Sequence, residues 1–492
     1  MVDSLIESSV KPLIKFLTNI PPLIWAAVGT AVGFYFLFNV HYIFVILLIV
    51  FLIGLFIFSL ILKSFLKTSI CSGFLIAGLI LGLFSAFNGS NNINFGIKIE
   101  EVIAIEGLLK EDPVVVSGGS IMADVSLRRS KGQGFTVSSD GIITVFFPKE
   151  SAARIKEFGR GAAIYAEGSL RSTAWGLSFS ADSLHVTEPA PAIEQMRTRL
   201  RLNIINRFEK TQFGGLSLAL LFGIRDNLDS QYTSLYREAG LSYILALSGM
   251  HLAIIAALIS FLLKKPLGLK GCAIAGAVII VLYCLFTGPM PSLNRAALMY
   301  VIGVITILFN FPNKAMSVLA LSFIIQIIIT PAAGSSLSFV LSYLAMLGIL
   351  IIGKNLSMLL EGKIPNFLLQ PLSVSSGAFL ATAGVCSFTF GTIAPIGIIA
   401  GLAIVLLTAV FMIGSIIWLL LDLISISVLL NLPLHFLYKL MEAIAAAAGK
   451  VPGITANSFL VLAMSAVLTA LIVVLENRRK TKMLKLLSFR VS

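Results

Sequence analysis

Apolar runs of the length a helix needs to cross a bilayer, about 20 residues, recur along this chain, separated by short polar stretches. Three come first, at 22–38, 42–62 and 69–87. Then the pattern changes. From 97 to 188 no run is long enough to cross a membrane, and short alternating segments are punctuated by Gly118-Gly119, Gly132-Gln133-Gly134 and Asp140-Gly141. These predict five strands, at 102–108, 120–127, 142–147, 162–167 and 177–186, with one short helix over 149–158. Five strands with a helix between the third and fourth is the layout of an OB-fold, a small β-barrel. A basic amphipathic segment, 193–210, follows. It reads as a helix on the membrane surface or as a solvated linker. The short run 216–224 is too brief to span. Further crossings are predicted at 241–263, 272–288, 292–310, 316–331, 336–353, 368–390, 394–412, 413–431 and 456–475, with 435–452 lying along the outer face.

The prediction is therefore a polytopic α-helical membrane protein of roughly 12 transmembrane helices with an inserted OB-fold-like domain. Its parts are N-terminal helices at 1–90, the small domain at 91–190, a connector at 191–215 and a second membrane block at 216–492. A β-barrel membrane protein would alternate apolar and polar residues, and these runs do not.

Composition agrees. Only 12% of residues are charged and 58% are apolar, with a mean hydropathy of +0.99; soluble domains carry about 25% charged residues. The net charge of +13 is placed largely in loops. Lys11, Lys15, Lys63, Lys67, Lys264, Lys265, Lys270, Lys314, Lys354, Lys363, Arg478 and Arg479 all fall where one membrane face would collect them. By the positive-inside rule both termini are cytoplasmic and the small domain lies outside. The N-terminus lacks a signal-peptide pattern, so the first segment is expected to remain as an anchor. Cys71, Cys272, Cys284 and Cys386 sit in apolar runs without metal-binding spacing and read as small hydrophobes. No cofactor or metal is expected.

Polar residues inside the second block are the candidates for function: Arg225, Asp226, Ser248, His251, Ser292, Asn294, Arg295, Gln326 and Asp422. A charge at bilayer centre costs about 2.5–3.5 kcal/mol on insertion scales, so each needs a partner or water. Ser248 and His251 share a face if one helix runs through Gly249. Three readings of this pair stay open: an interior His with a packing Gly, a pore-lining face, or a Ser–His catalytic pair. The last lacks an evident orienting acid. Residues 287–297, Thr-Gly-Pro-Met-Pro-Ser-Leu-Asn-Arg-Ala-Ala, break one helix and start the next. They form either an ordinary turn with Arg295 reaching headgroups or a cavity lining in which Arg295 suits a phosphate or carboxylate. In the small domain ten Lys/Arg stand against twelve Asp/Glu, a net charge of −2, so nucleic-acid binding would need a local patch. Arg128, Arg129 and Lys131, with Arg171 and Trp175, form the best one; otherwise they are a solvated hairpin tip.

Four segments, in this order, resemble the ComEC competence family, the inner-membrane channel of bacterial natural transformation. They are Leu218–Arg225 (with Ile224 a departure), Ala239–His251 (Tyr243 where the family often has His, Met250 where it often has Leu), Thr287–Ala297 and Leu337–Ala345. The resemblance implies conduction of one DNA strand into the cytoplasm, with the OB-like domain meeting single-stranded DNA outside. Ser248, Gly249, His251, Ser292, Asn294 and Arg295 would line or gate the path. The partners it implies are a separate DNA receptor, a cytoplasmic helicase or ATPase, since no GxxxxGK[ST] motif is present, and a separate nuclease. Many members carry a C-terminal β-lactamase-like nuclease domain. With four His in all, His41, His185, His251 and His435, this chain is expected to lack it and to be a transport protein. The alternatives are a small-molecule or lipid transporter, or a membrane-anchored binding module without a pore.

Overall fold

The computed structural model describes residues 20–35, 66–89, 93–115, 121–148, 159–173, 176–311, 314–455 and 457–491. The expected crossing at 42–62, the helix at 149–158 and Trp175 lie outside them. The chain is mostly helical, with a mixed sheet near its N-terminus. Among the described residues seven helices are long and apolar enough to cross a membrane, against the roughly twelve expected.

Helices α1 (Pro22–Tyr35) and α2 (Leu66–Gly89) pack in parallel through glycines. A Cβ on Gly29 would lie 2.1 Å from the Leu75 carbonyl, and one on Gly82 would lie 2.2 Å from that of Thr30. Backbones this close are the packing mode of helices in lipid, where no hydrophobic effect drives them together.

The sheet has strands β1 (Ala104–Leu109), β2 (Val114–Val115), β3 (Ile121–Lys131), β4 (Thr136–Ser138), β5 (Ile142–Phe147), β6 (Ala163–Thr173) and β7 (Gly176–Glu188). The order is β1-β6-β7-β5-β3-β2, β4 pairs β3, and β1 also pairs β3. Among the described residues the β5–β7 pair alone is parallel. Period-two burial puts Ile121, Ala123, Val125 and Leu127 of β3 on one face. They pack with Ile143, Val145, Phe147 and Phe179 in a core separate from the helices.

The 193–210 segment forms α3 (Ala192–Phe208). It is neither a free linker nor only a surface helix, because its charged side is turned inward. Arg197 is buried. It donates to Asp112 in the β1–β2 turn, to Glu194 (2.7 Å) and to the Phe286 carbonyl (2.9 Å). Arg201 donates to the other Asp112 oxygen (2.8 Å), and Arg160, ahead of β6, to Glu194 (2.5 Å). One guanidinium thus ties the sheet to the helical block. Burial alone would raise the Asp112 carboxyl; the Arg197 hydrogen bond and the charges of Arg201 and Arg197 outweigh it and hold the carboxyl below its ordinary range. Glu194 is lowered in the same way, against burial, by Arg160 and Arg197.

The helical block follows as α4 (Gly214–Phe222), α5 (Ser230–Glu238), α6 (Ser242–Leu245), α7 (Gly249–Thr287), α8 (Pro291–Leu308), α9 (Ala315–Ile329), α10 (Pro331–Gly334) and α11 (Leu337–Gly348). After α11 come a π-turn, α12 (Lys354–Leu360), α13 (Asn366–Phe390), α14 (Ile396–Asp422), α15 (Val428–Gly449) and α16 (Ser458–Val491). Two expectations need correction. The crossings at 394–412 and 413–431 are one helix, α14. Most of the segment expected along the outer face, 435–449 of 435–452, belongs to α15, which is long and apolar enough to cross. Pro452, read as part of that surface segment, ends up beyond the helix.

Helix α7 is assigned as one 39-residue element, yet Gly268 within it has φ 67° and ψ −175°. A straight helix of that length would hold its ends about 57 Å apart. Leu247, just before it, and Met290, just after it, instead both meet the Cβ position of Gly223. The helix doubles back at Gly268, with Lys264, Lys265 and Lys270 at the bend, so the two crossings expected here fold as a hairpin.

Replacing Arg197 with Ala leaves the half-buried Asp112 and Glu194 without their shared cation, each with one arginine, Arg201 and Arg160. We expect a loss of about 3–5 kcal/mol, read as a lower unfolding temperature and faster amide exchange at the β1–β2 turn. Both carboxyls are depressed in the folded state. Their contribution is therefore complete above the unfolded carboxylate range, near pH 4, and is lost as pH falls through their lower folded values. Thermal unfolding across pH 2–7 checks it; a wild-type acid limb that persists unchanged in the Ala variant would contradict it.

Candidate functional site

The 239–255 segment does not fold as a continuous helix. Helix α6 ends at Leu245, Ala246 is extended, and Ser248 (φ −137°, ψ 176°) is the N-cap of α7. Ser248 and His251 therefore form a cap and do not share a face within one helix. The Ser248 N–H donates to His251 Nδ1 (3.2 Å), and the Ser248 hydroxyl lies 3.1 Å from the same nitrogen. His251 occupies the position where a capping box usually has Glu or Gln. Because Nδ1 accepts from a backbone N–H, the neutral ring carries its proton on Nε2. His251 is fully buried. The Ile244 backbone lies close enough to act on the ring as an acceptor, although no contact short and straight enough for a full hydrogen bond reaches Nε2 among the described residues.

Arg295 stands against this cap. The turn Gly288–Met290 separates α7 from α8, Pro291 opens α8, and Arg295 falls one turn in. Its side chain is 8% exposed. Nη1 donates to the Ser342 carbonyl (2.8 Å), Nη2 lies where a Cβ on Gly249 would be 2.9 Å away, and Nε has no partner. Among the described residues no carboxylate pairs with it. The absence of a side chain at Gly249 is what lets the guanidinium lie on the start of α7.

More polar groups extend the site. The Ser342 hydroxyl donates to that of Ser292 (3.2 Å). Tyr343 donates to Gln326 Oε1 (2.9 Å), and Gln326 Nε2 donates to the Pro291 carbonyl (3.0 Å). Asn294 is half-buried on α8. Five of the six predicted gate residues are thus tied into one buried to half-buried cluster at the starts of α7 and α8 and the middle of α11, and Asn294 flanks it. Ser342 and Tyr343 were missed. Their signal was hydroxyl-bearing residues in an apolar run of the Leu337–Ala345 segment.

The remaining candidates lie apart. Arg225 is exposed, and the Asp226 carboxylate accepts from the Val115 N–H at 3.4 Å. Asp422 pairs with Arg207. The Arg128–Lys131 stretch is no hairpin tip: it is the end of β3, paired with β1 and β4. Arg128 and Arg129 are exposed and lie 3.9 and 3.8 Å from Glu188 and Glu106. Lys131 sits 5.8 Å over the Tyr165 ring. Arg171 lies on the part of β6 that extends past its pairing with β1. Among the described residues no group of three His, Cys, Asp or Glu gathers to hold a metal ion.

The helical block and its polar cluster define an apolar-helix membrane protein with a built interior. The Competence protein family matches residues 220–479, more than half of the chain and all of this cluster, and the chain belongs to that family. An uncharacterized protein of Aquifex aeolicus (strain VF5) is 28% identical over 208 residues, 42% of this chain and 48% of that protein. ComE operon protein 3 of Bacillus subtilis (strain 168) is 28% identical over 134 residues, 26% of this chain and 17% of that protein. The chain spans about half the length, or less, of the curated relatives it matches. The β-sheet lies outside the matched residues.

A side chain on Gly249 must displace the Arg295 guanidinium. We expect Gly249→Ala to cost about 1–3 kcal/mol in the wild-type background and little when Arg295 is Ala. Thermal unfolding of the four proteins of this double-mutant cycle checks it; equal cost in both backgrounds would contradict the contact.

Proposed function

We propose that this chain forms an inner-membrane path for DNA uptake and conducts a single DNA strand toward the cytoplasm, with transport and not hydrolysis as its task. The observation that carries the proposal is the Arg295 cluster. A guanidinium 8% exposed, with no carboxylate beside it among the described residues, keeps a positive charge that ordinary packing would neutralise or exclude. Beside it, Arg295 Nε has no hydrogen-bond partner among the described residues. A phosphodiester offers what this place lacks, a single negative charge and several acceptor oxygens. Membership of the Competence protein family supports a role in DNA uptake.

Under this proposal Ser248, Gly249, His251, Ser292, Asn294 and Arg295 form a gate. The sheet is an OB-like domain on the outer side that meets the strand through Arg128, Arg129, Lys131 and Arg171. The order β1-β6-β7-β5-β3 with return pairing to β1, the parallel β5–β7 pair and the bulges at Glu106/Gly107 and Glu167/Gly168 support an OB-like layout. Lysines at the Gly268 bend, at Lys314 and at Lys354, on the far side from the Arg295 cluster along their helices, support a cytoplasmic face there and cytoplasmic termini. The proposed domains run 1–90, 91–190, 191–215 and 216–492. A separate DNA receptor, a motor ATPase and a nuclease would complete the pathway.

Arg295→Gln should lower transformation by at least roughly tenfold at unchanged protein abundance, with Arg295→Lys intermediate. Arg128→Ala with Arg129→Ala should weaken oligonucleotide binding by the whole chain and flatten its dependence on salt. A strain deleted for this chain that transforms normally would overturn the proposal.

A further inference from the structure

A second polar site lies well away from Arg295, where the C-terminal end of α3 meets the turn between α14 and α15. We propose that it binds the phosphodiester headgroup of a membrane phospholipid. The site is a cavity of about 380 Å³, within the range of about 300–1,000 Å³ usual for small-ligand sites. Its lining departs from the usual apolar one. Asn206, Arg207 and Lys210 come from α3 and its end, Trp418 and Asp422 from α14, Ser427 and Asn431 from the start of α15.

The hydrogen bonds fix what the cavity has left to offer. Both Asp422 oxygens are occupied: Arg207 Nη1 donates to Oδ2 (2.6 Å) and Ser427 Oγ to Oδ1 (2.8 Å). The indole N–H of Trp418 donates to Asn431 Oδ1 (2.7 Å), which leaves that amide's N–H groups as donors. Arg207 and Lys210 against Asp422 give a net charge of +1. What remains is rich in donors and monocationic, the complement of a monoanion with several acceptor oxygens.

The rim selects the source of that monoanion. The turn 423–427 contains no charged residue. In and beside it Leu423, Ile424, Val428, Leu429 and Leu432 are 62–78% exposed, and the turn joins two helices long and apolar enough to cross a membrane. A polar cavity opening onto bare aliphatic side chains fits a molecule that is ionic at one end and apolar at the other. Trp418, 3% exposed and stacked on Phe208 at 4.7 Å, forms the apolar floor of the cavity. A DNA strand offers phosphodiesters but has nothing to cover this rim. The site does not depend on the proposed path for DNA.

The test uses the full chain in nanodiscs containing dioleoylphosphatidylglycerol in a phosphatidylcholine background. Retained lipid is counted by native mass spectrometry, alone and with excess oligothymidine. The wild type should keep one phosphatidylglycerol that Lys210→Ala with Asn206→Ala loses or binds roughly tenfold more weakly. Leu429→Gln, which alters only the exposed rim, should weaken retention as well, and oligothymidine should displace nothing. Equal lipid retention in all three proteins would overturn the proposal. So would displacement by oligothymidine, which would give the cavity to the strand.

Discussion

A buried positive charge with no negative partner among the described residues is the constraint around which the helical block is arranged. Arg295 enters the bundle one turn into α8. Three features accommodate it: the Ser342 carbonyl that accepts its Nη1, the bare backbone at Gly249 beneath Nη2, and the break before Ser248 that lets α7 begin there. None of these neutralises it. An interior ion normally pairs or is excluded, because desolvation costs several kcal/mol. A helix break and a bare glycine beside a guanidinium with no carboxylate partner among the described residues make a place suited to a transient anion. That is the physical basis of the proposal that a polyanion passes here.

A different electrostatic device fixes the sheet relative to the helices. Arg197 reaches Asp112 on one side and the Phe286 carbonyl, two residues before the turn that leads to α8, on the other. The same guanidinium that holds the sheet thus also bonds the backbone just ahead of the turn that leads to the helix carrying Arg295. The two devices differ in kind. Arg197 is compensated by two carboxylates and acts as a rivet, whereas Arg295 stays uncompensated and available.

Much of this was legible in the chain, for identifiable reasons. Strands β1, β3, β5, β6 and β7 were anticipated because half-buried strands alternate strictly, as in Ile121–Leu127. The polar cluster was anticipated because Ser248, His251 and Arg295 are rare residue types in apolar runs. Helix limits were less accessible. A Pro-Leu-Gly sequence at 266–268 marks a bend but not its geometry, and nothing in a uniformly apolar stretch says whether 394–431 is two crossings or one helix and a turn. Arg128–Lys131 was misplaced because Gly132-Gln133-Gly134 draws the turn boundary toward it, while pairing with β1 and β4 extends β3 through Lys131. The inward face of α3 was hidden for another reason: its partners Asp112 and Arg160 are distant in sequence, and only the fold brings them together.

The central claim is that the Arg295 cluster lies on the route of a nucleic-acid strand. Its most direct test is thiol labelling of Ser292→Cys in sealed vesicles, in a full chain whose four native cysteines are replaced by Ala. The account predicts that a water-soluble thiol reagent modifies this position and that a single-stranded oligonucleotide slows the modification, while a cysteine on the exposed face of α16 is unaffected. A thiol at 292 that reacts at the same rate with and without the oligonucleotide would contradict it.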